Sequence, residues 1–136
     1  MKKQAMVLLG VGLVFSLSAF LPAAADDTTE SVKKIMGAMN KGPKSLTGLL
    51  KTALKAQSPN WTVIQKDTKR IAELTDALTK LKPKKGDGSS WEKLSTAYAA
   101  DAKALDEAAG KKDKAAAEAA FKKLGGSCKS CHDAHK

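Results

Sequence analysis

Large rings are scarce in this chain. Six of its 136 residues are aromatic, and Phe15 and Phe20 sit near the N-terminus in a leader-like stretch, leaving Trp61, Trp91, Tyr98 and Phe121 for a core otherwise made of Ala and Leu. Interiors are packed to crystal-like density, so such a core is short of volume and asks for something bulky to complete it. Cysteine and histidine are also rare, two of each, and all four lie between positions 128 and 135. A structural zinc site takes four ligands, commonly as two separated pairs, and no distant second pair exists. The carboxylates read as helix caps and helix faces, and no Ser, His and Asp set suggests nucleophilic work, so the chain is not expected to be an enzyme. No strand pattern is convincing anywhere, and there is no internal repeat. Acidic residues are outnumbered, 14 against 24 Lys and Arg, for a formal charge of +10. The lysines are spread along the chain without interleaved aromatics, which argues against nucleic acid. They solvate the outer faces of helices, and a net positive surface would also steer docking to acidic partners.

What is present begins with an export signal. Lys2 and Lys3 precede a mostly apolar run from Ala5 to Leu21, and Pro22-Ala23-Ala24-Ala25 follows. A positive start, an apolar middle and a small-residue cleavage site make residues 1–25 a signal peptide cut after about Ala25, and place the mature chain in the periplasm. The competing reading is an uncleaved membrane anchor, since the run is nearly long enough to span. The well-formed cleavage site favours removal, with no stable membrane insertion afterwards. The remaining domain, 26–136, has 111 residues and loses Lys2 and Lys3, which brings its charge to about +8.

Helical punctuation recurs through that domain. Asp27 with Glu30 reads as a capping box ahead of Val32, Ile35, Met36 and Met39 on one face. Gly42-Pro43 breaks the run, and Leu46, Leu49, Leu50, Ala53 and Leu54 continue it to about Ala56 as the second piece of one interrupted first helix. Ser58-Pro59 reads as a cap and first helical position before Trp61, Ile64, Ile71, Leu74, Leu78 and Leu81, with Thr68 and Thr75 between them. Lys82 to Gly88 is a loop. Ser89 with Glu92 opens a third helix carrying Trp91, Leu94, Tyr98, Ala102, Leu105 and Ala109, which Gly110 ends. Asp113 caps the last helix, whose inner face holds Ala117, Ala120, Phe121, Leu124, Cys128 and Cys131. Four amphipathic helices with short links predict an all-α, antiparallel four-helix bundle with a kinked or interrupted first helix.

The chemistry is concentrated at the end. Cys128-Lys129-Ser130-Cys131-His132 is a C-x-x-C-H stretch, the pattern for covalent attachment of a c-type haem. Two thiols one helical turn apart can add to the two porphyrin vinyl groups, and the adjacent imidazole of His132 would be the proximal iron ligand. A thioredoxin-like dithiol belongs after a strand at a helix N-terminus, whereas this stretch follows a helical run. A disulfide between Cys128 and Cys131 would close a very small ring and leave His132 without a role. Attachment of haem c to bacterial chains takes place beyond the membrane, so the motif and the export signal support each other. A buried porphyrin would also supply the volume that the missing rings do not.

Phe121, Gly125, Cys128, Cys131 and His132, in the order F-x-x-x-G-x-x-C-x-x-C-H, resemble the C-terminal signature of the cytochrome c′ family, four-helix-bundle c-type cytochromes with the haem motif near the C-terminus. Asp113 and Trp91 also stand where that family usually has such residues. The resemblance is specific from about Ser90 to Lys136 and suggestive in the first helix. It departs at two places. His135 and Lys136 occupy positions where members often have an aromatic and an arginine, and Val32 stands where many carry an arginine.

In this family a first-helix residue faces the distal side of the haem, and low-spin relatives place a methionine there. The resemblance therefore implies Met36 as distal iron ligand, although thioethers also serve as core filler. It implies further that Phe121 packs on the porphyrin and that homodimers are possible. His135 lies one turn from His132 on the same helix and cannot reach the opposite haem face. It reads as a surface histidine or, second, a partner for a haem propionate. Two functions follow. One is a periplasmic electron carrier with one covalent haem c and His132/Met36 iron coordination, serving redox partner proteins, with acidic faces as the expected complement to its positive charge. The alternative is a five-coordinate cytochrome that binds nitric oxide or carbon monoxide, with Met36 as packing only.

Overall fold

The computed structural model of the protein describes residues 25–136, with side chains from Thr29 onward, so nearly all of the expected signal peptide lies outside the described residues. Every regular element described is helical: α1 (Ala25–Asn40), α2 (Leu46–Lys55), α3 (Trp61–Thr79), α4 (Gly88–Gly110), α5 (Lys114–Gly126) and α6 (Cys128–His135). Only Ser127 separates α5 from α6, and α1 and α2 are the two pieces of the interrupted first helix, so the six segments make four successive arms.

The first interruption is built where glycine permits it. Gly42 adopts φ +83°, a left-handed conformation that costs a residue with a Cβ. Ser45 then restarts the helix: its Oγ donates to the Gly42 carbonyl at 2.7 Å and accepts from the Gly48 N–H at 3.3 Å. Thr47 Oγ1 reaches back to donate to the Met39 carbonyl at 2.7 Å, satisfying one of the orphan acceptors at the end of α1.

The core runs along α4, which packs against α3 on one side and α5 on the other. Ile64, Ile71 and Leu78 from α3 meet Tyr98, Ala102, Leu105 and Ala109 from α4, while Ala117 and Leu124 come from α5. Leu50 and Leu54 of α2 and Ile35 and Met39 of α1 close the remaining side. The alanines let the α4 and α5 backbones approach, and each fully buried Leu or Ile contributes roughly 1.5–3 kcal/mol. Polar groups at the α3–α4 seam are partnered. Thr68 Oγ1 donates to Asp106 Oδ1 at 2.7 Å, and Gln65 Nε2 donates to the Ala109 carbonyl near the end of α4 at 3.0 Å.

Several sequence-based boundaries move. α1 is already formed at Ala25, so Asp27 lies inside it instead of capping it. The α3 cap is Asn60, whose side chain accepts from Val63 N–H at 3.3 Å, not Ser58 with Pro59 as first helical residue. The α4 cap is Asp87, accepting from Ser90 N–H at 2.9 Å, and Ser89 lies within the helix with its hydroxyl bonded to the Asp87 carboxylate. In both cases Asn or Asp, as strong a cap as Ser, stands two positions from the residue chosen from sequence. Asp113 does cap α5, accepting from Ala116 N–H at 3.0 Å. Leu49, assigned to the inner face of α2, is 46% exposed.

Candidate functional site

The α5–α6 arm carries Cys128 and Cys131, one turn apart, toward the bundle. Both are half-buried free thiols, so the small-ring disulfide is not formed. Burial pushes the Cys131 thiol above its ordinary pKa, and the neighbouring Cys128 adds to the effect. The arm is rooted by a charged pair that the sequence did not single out. Asp101 of α4 is 7% exposed, accepts from Lys123 Nζ at 2.7 Å, and accepts from Ser127 Oγ at 3.4 Å immediately before Cys128. Its sequence signal is a carboxylate beside the apolar stripe of Tyr98, Ala102 and Leu105.

Against this arm lies a cavity of about 580 Å³, within the roughly 300–1,000 Å³ range of cofactor and ligand pockets. Val32 and Met36 of α1 form one wall and Trp91, Leu94 and Tyr98 of α4 another. Cys128, Cys131 and His132 of α6 form a third, and Pro83, Lys84 and Lys85 of the α3–α4 loop border the cavity as well. Met36 and His132 thus line one cavity from different arms. Met39, three residues on, is fully buried in the core and does not line it. The Met36 sulfur has a polar neighbour: Asn40 Nδ2 approaches it at 4.0 Å, and Asn40 Oδ1 lies 3.1 Å from Thr47 Oγ1, whose proton is given to the Met39 carbonyl. Burial raises the Tyr98 phenol far above its usual range, the cysteines add to this, and a hydrogen bond with Asn40 acts against it.

Phe121 does not line that cavity. It faces a neighbouring one of about 360 Å³, which shares Asn40, Tyr98 and Cys128 with the first. His135 is not a free surface histidine: both ring nitrogens have partners, Nδ1 with the Lys85 carbonyl at 3.0 Å and Nε2 with Ser90 Oγ at 3.3 Å. Its ring stands edge-on to Trp91, with centroids 5.4 Å apart. These contacts span 45 and 50 residues of chain, which is why periodicity could not reveal them.

The residues present fit a haem. Two thiols one turn apart and an adjacent imidazole open onto a mostly apolar cavity of suitable size. Trp91 Nε1, on its wall, is a buried donor with no acceptor among the described residues, and such a group is costly unless a bound molecule or water satisfies it. Lys33, Lys84, Lys85 and Lys136 also border the cavity, and their charge suits the porphyrin carboxylates. No cluster of three or more His, Cys, Asp or Glu among the described residues could hold a bare metal ion. No curated protein and no solved structure matches the chain. Comparison with protein families, however, matches residues 27–136 to the family described as cytochrome C′. The C-x-x-C-H arm, the cavity beside it and that match across the whole described bundle agree, and the chain belongs to the cytochrome c′ family of helical-bundle proteins that carry covalently attached haem c.

Proposed function

We propose that the protein is a periplasmic electron carrier in which Cys128 and Cys131 hold one haem c through thioether bonds, His132 is the proximal iron ligand and Met36 the distal one. The observation that carries this reading is the separation of the two first-helix methionines: Met39 is consumed by the core, whereas Met36 stands on the wall of the cavity that His132 also lines. The bound iron supplies a one-electron ferric–ferrous couple. An imidazole and a thioether together leave no open position for a substrate, and the thioether favours the ferrous state. Asn40 holds an amide N–H toward the Met36 sulfur, an outer interaction of the kind that orients a ligand.

Partner choice follows from the cavity rim. Lys33, Lys84, Lys85 and Lys136 are exposed there, and none belongs to an ion pair among the described residues. Such a rim favours a redox protein with an acidic face, docking at a rate that falls with ionic strength. Among the described residues no helix is long and apolar enough to cross a membrane. Visible spectra of the ferric and ferrous holoprotein test the assignment. Low-spin spectra in both states and slow carbon monoxide binding are expected, while a high-spin ferrous spectrum with ready carbon monoxide uptake would transfer the protein to gas binding.

A further inference from the structure

The terminal helix that carries His132 has little to hold it. α6 is eight residues long and contributes no buried residue to the core, and helices of that length are not stable alone. Cys131 packs against the core near its start. At its other end the described contacts converge on His135 and on the loop between α3 and α4. The Lys85 carbonyl can only accept, so His135 Nδ1 donates to it, and Nε2 pairs with the Ser90 hydroxyl, which can donate or accept. The edge contact with Trp91 fixes the ring plane. Gly86, at φ +83°, brings the loop so close that a Cβ there would collide with the Ala134 carbonyl and the His135 ring. Lys85 Nζ adds a long contact to the Lys136 carbonyl at 3.5 Å.

We propose that His135 is the positioning residue for the proximal side of the haem: it clasps the last turn of α6 to the Lys85–Ser90 segment, and through that turn fixes the orientation of the His132 imidazole. This rests on the assignment of His132 to the iron. His132 and Lys136 close the final helical hydrogen bond, from Lys136 N–H to the His132 carbonyl at 3.1 Å, so the turn rotates as a unit. Lys84 and Lys85 border the same cavity, so the clasp also sets how the loop lies along it. An imidazole held this way is a better donor than one on a fraying end, and better donation stabilises ferric iron.

Four holoprotein variants test the clasp. His135→Ala removes ring and hydrogen bonds. His135→Phe keeps the edge contact with Trp91 but supplies no donor. His135→Asn restores a donor toward Lys85, and Gly86→Ala pushes the loop and the His135 ring apart while leaving the histidine itself in the chain. The expected result is that Ala, Phe and Gly86→Ala raise the midpoint potential, broaden the ferric electron paramagnetic resonance signal, and speed amide exchange in 82–87 and 132–136 by roughly tenfold. Asn should return all three readings toward wild type. If Ala and Gly86→Ala lower the melting temperature while potential, resonance signal and exchange stay as in wild type, His135 is only structural and the proposal is overturned. Failure of the underlying assignment looks different: the wild-type holoprotein itself would then lack the signature of an axial imidazole.

Discussion

Replacing each of the two first-helix methionines by alanine tests the proposed division between an iron ligand, Met36, and a packing residue, Met39. Met39 is 0% exposed, and truncating a fully buried Met to Ala costs about 2–5 kcal/mol, because the cavity left behind closes only in part. Taking about 3 kcal/mol, and a few degrees per kcal/mol for a domain of this size, the melting temperature of Met39→Ala should fall on the order of 10–15 °C. Its haem spectrum should stay that of wild type, since Met39 does not line the cavity. Met36 is half-buried on the cavity wall, so its truncation removes less packing, about 1 kcal/mol, before any iron bond is considered. The expected mark of Met36→Ala is therefore spectroscopic: a low-spin to high-spin change in the ferrous protein and rapid carbon monoxide binding. Paired thermal melts and visible spectra of the two holoproteins decide the matter. An unchanged spectrum for Met36→Ala, or a changed one for Met39→Ala with its stability intact, would refute the reasoning.

Three further outcomes can be checked. Asn60→Ala should destabilise by about 1 kcal/mol in urea denaturation while Ser58→Ala changes little, and the reverse ranking would return the α3 cap to Ser58. Asp101→Ala should cost about 1–2 kcal/mol and not more, because Lys123, 75% exposed, returns to water; a neutral substitution would mean that the tie to Ser127 does no work. Tyr98 keeps its phenolic proton in the native state at pH values where the unfolded chain, with an ordinary pKa near ~10, releases it. The native state then binds more protons than the unfolded one, so stability should decline as pH rises above about 10, and Tyr98→Phe should flatten that decline. Equal slopes for the two proteins would argue against burial of the phenol.

Local signals were readable from the sequence and long-range ones were not. The Gly42-Pro43 break, the Asp113 cap, the end at Gly110 and the stripes of α3 and α4 are set by residues within a few positions of one another, and each lies where spacing predicts. Caps went astray where two good capping residues stand two positions apart, Ser58 with Asn60 and Ser89 with Asp87. Spacing alone gives Met36 and Met39 the same face; only packing shows that one is sealed in the core and the other borders the cavity. Phe121 shares the inner face of its helix with Cys128 yet looks into a different cavity, a distinction that depends on where α2 lies. The contacts of Asp101 and His135 join segments 22 to 50 residues apart, and no local pattern carries that information.

Among the described residues, the last side chain sealed inside the bundle is Leu124, and beyond Ser127 only the partly buried Cys131 packs against the core. Both half-buried thiols therefore lie at the margin of the bundle, outside its sealed interior.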